Sequence, residues 1–185
     1  MDSTLLLIFA AISTWASVVA AFGAVAAVRA AVRLARFQVD AAKSLTCLQL
    51  FLQLAAQYDS SDMQRARARL AAKLLANSET LEVEDTLLVF YENLGILVRR
   101  KLLDPELVWN TFSIDVQCYW PALEHYVNHC RYTKYNCDTI FEEFEELYKH
   151  FRDIKRSPLG TPVPQVPFTA EVMKQFLRDE ERRSG

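Results

Sequence analysis

The chain has 185 residues, 51% of them hydrophobic and 24% charged, with a formal net charge of −2. This composition excludes a disordered chain, and the near-neutral balance argues against a dedicated nucleic-acid binder. Four glycines, at 23, 95, 160 and 185, are too scattered for a P-loop or a dinucleotide fingerprint, each of which needs several glycines close together.

The first element is the run Leu5 to Val28, twenty-four residues without one Asp, Glu, Lys, Arg or His. As a helix it would be about 36 Å long, enough to cross a hydrocarbon core of about 30 Å. Residues 1–28 are therefore predicted to form a transmembrane anchor. The start, Met-Asp-Ser-Thr, carries an acid and no base, and the apolar run exceeds that of a secretory signal, so the segment is expected to stay uncleaved. Arg29, Arg33 and Arg36 follow it, and only Asp2 precedes it. The positive-inside rule then puts the short N-terminus outside and the rest of the chain in the cytoplasm. Spacings of four and three set the three arginines on one helical face, where they can meet lipid phosphates. Ser13, Ser17, Ala20, Ala24 and Ala27 form a small-residue stripe that permits self-association in the membrane.

Nothing between Val28 and Tyr58 breaks a helix, so residues 29–58 are predicted to continue it as a juxtamembrane helix. Val28, Val32, Ala35, Val39 and Ala42 line one side, then Leu45, Leu48, Leu52 and Ala55, and this side is expected to pack on the chain's own domain. A helical bundle over 59–156 comes next. Its first helix is expected to start at a capping box of Ser61 and Gln64. Ala66, Leu70 and Leu74 point one way and Arg65, Arg69 and Lys73 another. The run Arg65-Ala-Arg-Ala-Arg69 reads as a solvated or lipid-facing side rather than a nucleic-acid contact.

After a turn at Asn77–Thr80, Glu82, Glu84 and Asp85 open a helix that Arg99, Arg100 and Lys101 close, as the macrodipole favours. Val83, Leu87, Phe90, Tyr91, Leu94, Leu97 and Val98 keep its 3.6-residue period, and Gly95 marks close approach of a neighbour. Asp104-Pro105 is an N-cap followed by proline at the first helical position. The helix it starts carries Val108, Phe112, Val116 and Trp120 and should kink at Pro121. Thr139 and Glu142 suggest a further capping box. The helix beyond presents Ile140, Phe144, Leu147, Tyr148, Phe151 and Ile154 on one face and Glu142, Glu143, Glu145 and Glu146 on the other. A proline-rich linker, 157–168, holds four of the six prolines. A C-terminal amphipathic helix, 169–185, offers Val172, Met173, Phe176 and Leu177 and is expected to dock on the bundle.

Charge is divided along the chain. Arg29 to Lys73 holds eight basic and three acidic residues, and Glu79 to Asp153 seven basic and fifteen acidic. A positive membrane-proximal part suits contact with anionic lipid. The cysteines at 47, 118, 130 and 137 read as free thiols in a reducing compartment.

Several stretches together resemble a bacterial domain-of-unknown-function family of short, all-helical proteins with one N-terminal membrane helix. They are Phe51-Leu-Gln-Leu-Ala-Ala-Gln-Tyr58 with Ser60-Ser-Asp-Met-Gln-Arg-Ala-Arg67, and Val89-Phe-Tyr-Glu-Asn-Leu-Gly-Ile-Leu-Val-Arg-Arg100 continuing to Leu103-Asp-Pro-Glu-Leu-Val-Trp109 and Tyr119-Trp120. Phe141-Glu-Glu-Phe-Glu-Glu-Leu-Tyr148 closes the match. The resemblance spans Leu48 to Phe151 and implies the fold, the anchor and a bacterial plasma-membrane location, with no chemistry to carry over. Such proteins are expected to have a glycine near Lys101, which this chain lacks.

The candidate chemistry lies on the kinked helix. Cys118, His125 and His129 are spaced by seven and four, and His-x3-His on a helix is metal-ligand geometry, with Cys130 and Cys137 near in sequence. Tyr126 stands where a zincin needs glutamate, so protease chemistry is not indicated. The sequence thus predicts an all-α protein: a transmembrane helix running into a small cytoplasmic bundle, with no enzymatic activity and no cofactor. Its expected role is an interaction or regulatory module, its partners being membrane lipid and a protein or a second copy. The rival reading is a small metal or haem sensor built on Cys118, His125 and His129.

Overall fold

The structure, a computed structural model, describes residues 3–76, 84–154 and 169–183, with side chains from Val28 onward except those of Glu84 and Ala170. The described residues are helical, without strands. They form α1 (Ser3–Tyr58), α2 (Ser61–Leu75), α3 (Glu84–Arg99), α4 (Pro105–His129), α5 (Glu142–Asp153) and α6 (Ala170–Arg182). A π-helical turn, Cys130–Lys134, continues α4. The all-α expectation holds, as does the continuity of α1 through Tyr58. The expected turn at Asn77–Thr80 and the linker 157–168 lie outside the described residues. So do the side chains of the small-residue stripe and of the span Leu5–Val28, apart from Val28 itself. Among the described residues, no helix is long and apolar enough to cross a membrane.

The chain divides into two compact units, Met1–Thr46 and Cys47–Gly185. In the first, every side chain from Val28 to Thr46 is exposed. The stripe Val28, Val32, Ala35, Val39 and Ala42 is exposed within this unit. Packing begins at Cys47, where Cys47, Leu50, Phe51 and Leu54 lie against the core. Arg29, Arg33, Arg36, Asp40 and Lys43 lie along the earlier stretch, whereas Leu48 to Leu54 carries no charge.

In the second unit α2 lies against α3 and α6, and α5 against α3 and α4. The core is aromatic. Tyr58, Phe90 and Phe112 sit within 5.2–5.7 Å of one another by ring centroid. Tyr91 stacks on Phe144 at 4.7 Å, and Trp120 meets Phe144 edge-on at 5.1 Å. Each such ring removes a large apolar surface from water, and each pair adds about 0.5–1.5 kcal/mol beyond that burial. α6 docks on this body through Leu177, with Met173 and Phe176 partly buried.

The caps differ from the sequence reading by small shifts. Ser60, not Ser61, caps α2: its side chain accepts from the Met63 amide at 3.2 Å, and Gln64 donates instead to the Asp59 carbonyl. Asp104 caps α4 as expected, accepting from the Glu106 amide at 2.9 Å. At α5 the Thr139–Glu142 box does not form. The helix starts at Glu142 behind Phe141, which adopts a left-handed φ of 57° and caps nothing with its side chain. The acceptor comes from another helix: Glu92 of α3 takes the Phe144 amide at 2.9 Å.

That arrangement requires α3 and α5 to touch, and Gly95 permits it. A Cβ at Gly95 would stand 2.4 Å from the Glu143 carbonyl oxygen and 2.7 Å from its carbon. Gly95→Ala should therefore destabilise the bundle by about 1–3 kcal/mol, because the clash is with backbone and exceeds the roughly 1 kcal/mol alanine gains in helix propensity. Denaturant unfolding measures it, and an unchanged midpoint would remove the close-contact account.

α3 ends in a Schellman turn. The Leu102 amide donates to the Leu97 carbonyl at 2.9 Å and the Lys101 amide to that of Val98 at 2.9 Å, with Lys101 at φ 57°. That position ordinarily holds glycine, which has no Cβ to strain. Lys101→Gly should stabilise the bundle by about 0.5–1 kcal/mol in the same assay.

Candidate functional site

Polar side chains meet beneath α6. Arg67 lies on the buried side of α2 at 3% exposure, because Met63, Arg67, Leu70 and Leu74 recur at spacings of four and three. Its guanidinium sits 4.0 Å above the Tyr58 ring. One terminal nitrogen faces Glu180 Oε2 of α6 at 3.4 Å, and Glu180 is itself 2% exposed. Arg67 Nε is buried without a hydrogen-bond partner. The Tyr119 hydroxyl, from α4, donates to the same Glu180 oxygen at 3.1 Å, while Glu180 Oε1 takes Arg183 at 2.8 Å.

A second chain of hydroxyls runs alongside. Tyr91 donates to the Tyr58 hydroxyl at 3.3 Å, and Tyr58 donates to Asp115 Oδ2 at 2.8 Å. Burial pushes the Tyr58, Tyr91 and Tyr119 phenols well above their ordinary range, so all three remain donors. Burial also raises the Asp115 carboxyl from 3.8 to about 6, with Glu180 adding to the rise and the Tyr58 hydrogen bond, Arg67 and Arg183 opposing it. Burial works against the Arg67 cation, but Tyr58, Glu180 and Tyr119 outweigh it and its pKa is raised. The cluster therefore holds a fixed cation, hydroxyl donors and a carboxyl that titrates in the mildly acidic range. It is equipped to receive a carboxylate. Its one thiol, Cys118, is pushed up to about 12 by burial, with Asp115 and Glu180 adding, and so is a poor nucleophile at neutral pH.

Apart from Cys118, the sequence-predicted residues fall elsewhere. Cys118 is buried, whereas His125 and His129 are exposed on the outer side of α4. Among the described residues no group of three or more His, Cys, Asp or Glu is placed to hold a metal ion. Cys130 is buried and Cys137 exposed, and all four cysteines are free thiols. Arg29, Arg33 and Arg36 are exposed in the first unit. The glutamates of α5 are only partly a solvated face. Glu142 and Glu146 are exposed, but Glu143 is buried beside Arg99 at 2.6 Å, and Glu145 pairs with the buried Arg131 at 2.7 Å.

Sequence reasoning missed Arg67, Asp115 and Glu180. A signal existed for each. Arg67 interrupts the stripe Met63–Leu70–Leu74, Asp115 interrupts Val108–Phe112–Tyr119, and Glu180 extends Met173–Leu177 at the same spacings. A lone charge inside an apolar stripe must find a buried partner.

Asp115 makes the cluster sensitive to pH. A carboxyl whose folded pKa is raised binds its proton more tightly when folded, so its contribution is complete below about 4 and is lost as pH rises through about 6. The difference is on the order of 2–3 kcal/mol. Asp115→Asn keeps an acceptor for Tyr58 and removes the titration. Relative to the wild type, its Tm should be higher at pH 7.5 than at pH 4.5; Glu92, also raised, remains in both proteins and cancels. A Tm difference that does not change with pH would show that Asp115 is not the titrating group.

The matches to known proteins bear on the body of the chain. A family model described as a domain of unknown function, DUF4760, matches residues 10–151, which include Tyr58, Arg67, Asp115 and Tyr119 but not Glu180. No curated protein and no solved structure matches the chain. With more than two thirds of its length covered by that model, the chain belongs to the DUF4760 family.

Proposed function

We propose that this protein is a membrane-anchored helical module that faces the cytoplasm and acts through protein contacts rather than chemistry of its own. The observation that carries the reading is the twenty-four-residue run Leu5–Val28 without an ionisable side chain, followed at once by Arg29, Arg33 and Arg36. A run of that length matches the thickness of a hydrocarbon core. The three arginines are exposed and spaced along one helical face, free to contact anionic headgroups. The exposed apolar stripe Val28, Val32, Ala35, Val39 and Ala42 offers a seam for lipid or for a second helix. A plasma membrane of bacterial type, with the short N-terminus outside, fits the asymmetry of the flanking charges.

The interaction reading draws on the body. A cleft of about 730 Å³ is lined by Gln57, Ser60, Met63, Arg65, Arg69 and Thr86. Asp62 also lines it and pairs with Arg65, so the cleft is open and mixed in charge, as suits a protein surface more than an enclosed substrate.

A reporter fused after Gly185 tests the topology. In the wild type it should behave as cytoplasmic, and replacing Arg29, Arg33 and Arg36 with glutamate should move a large fraction of it across the membrane. Periplasmic behaviour of the wild-type fusion would overturn the orientation, and recovery of the full chain in the soluble fraction would overturn the anchor.

A further inference from the structure

α6 is held to the body by three apolar side chains and one buried charge. Of its side chains, Leu177 and Glu180 are buried and Met173 and Phe176 partly so, while the residues between them face solvent. Phe176 meets the Tyr119 ring edge-on at 5.1 Å. The charge is seated imperfectly. Glu180 approaches a single terminal nitrogen of Arg67 at 3.4 Å, its other oxygen is turned to Arg183 of its own C-terminal end, and Arg67 Nε is left buried without a partner. A carboxylate that engaged the guanidinium with both oxygens would bind it more strongly than this. The site is thus built for a carboxylate and incompletely satisfied by the one it holds.

Two further facts separate α6 from the surface it covers. The family match ends at residue 151, so Arg67, Tyr58, Asp115 and Tyr119 belong to the family domain and Glu180 does not. Residues 155–168, with four prolines, join α6 to α5, so α6 is a tethered ligand whose local concentration is set by fourteen residues.

We propose that the groove formed by α2 and α4 around Arg67 and Tyr119 is a binding site for an amphipathic helix of a partner protein, and that α6 is the tethered competitor that keeps it closed. The partner helix presents a carboxylate about one turn beyond a bulky apolar pair, the pattern of Phe176, Leu177 and Glu180. Its carboxylate takes both Arg67 Nε and a terminal nitrogen, its apolar pair replaces Phe176 and Leu177, and α6 leaves. This deepens the interaction-module reading and does not depend on the membrane anchor.

The test uses full-length protein in detergent micelles and a fluorescent synthetic peptide of residues 169–183. A Phe176→Ser/Leu177→Ser variant loosens the tethered helix and leaves the groove intact. The peptide should bind this variant at least tenfold more tightly than the wild type, and a Glu180→Gln peptide should bind it at least tenfold more weakly than the native peptide. Equal binding to both proteins, no binding to the variant while its circular dichroism shows a folded bundle, or indifference to Glu180→Gln would each overturn the proposal. If the variant fails to fold, hydrogen exchange on the wild type decides. α6 amides exchanging well ahead of those of α4 support a displaceable helix, and exchange together with α4 overturns it. A concentration-dependent dimer that disappears with Leu177→Ser would make the occupant the α6 of a second copy and overturn the partner assignment. Recovery of the full chain in the membrane fraction while the peptide fails to bind leaves the anchor standing, so the two readings fall separately.

Discussion

Taking a guanidinium out of water costs several kcal/mol unless a counter-charge and hydrogen bonds replace its hydration. Arg67 of α2 is in that position, and three other helices are arranged to meet its demand. The end of α1 supplies the Tyr58 ring, α6 supplies Glu180, and α4 supplies Tyr119 and Asp115 to hold the carboxylate and the phenol in place. Exposed pairs such as Arg65–Asp62 or Arg152–Asp153 are worth about 1 kcal/mol or less each and set no register. Removing one member of a buried pair costs about 3–5 kcal/mol, since the other charge is left uncompensated. The cation thus ties α1's end, α2, α4 and α6 to one another, in addition to the apolar core they share.

A second polar tie works at the opposite side of the core by different means. α5 begins behind a left-handed Phe141 without a side-chain cap; the Thr139 carbonyl takes the Glu142 amide, and the amides beyond it need another acceptor. Glu92 reaches across from α3 to take them, and Gly95, one turn further on, lets the two backbones come close enough. Arg131, at the π-helical end of α4, donates to the Ile140 carbonyl and to Glu145, closing the loop that leads into α5. The cap is tertiary rather than local, which makes formation of α5 conditional on the packing of α3 and α4.

That distinction explains what could be read from the residues and what could not. Periodicity exposed the helices, the Asp104-Pro105 start and the close contact at Gly95, because each is encoded within a few neighbouring positions. The Thr139–Glu142 box failed because the helix starts only at Glu142, behind a left-handed Phe141, so Thr139 stands outside the cap position with its hydroxyl against Cys137. The stripe Val28 to Ala42 shows that a face is apolar and does not name what covers it. The Cys118–His125–His129 set rested on spacing along one helix. A spacing of seven and four does not survive the boundary between the buried side of α4, where Cys118 lies, and the exposed side, where both histidines lie. Arg67 was hidden in plain sight within Arg65-Ala-Arg-Ala-Arg69. Three arginines at every second position of a helix cannot share a face, so one of them had to turn inward.

The buried cluster also contains its own reserve of compensation. Glu180 is among the groups that hold Asp115 up near 6, and Arg67 is among those that pull it down. With α6 in place the cation is answered by Glu180, and Asp115 is close to half-protonated in mildly acid conditions. Once α6 withdraws, the repulsion of Glu180 and the smaller attraction of Arg183 leave together while the attraction of Arg67 stays, so Asp115 ionises more readily. Its hydrogen bond to Tyr58, whose ring lies against Arg67, keeps that new charge next to the cation. A body deprived of α6 thus does not strand an arginine in its interior. It exchanges one carboxylate for another, and this lowers the cost of leaving the groove open long enough for another helix to enter.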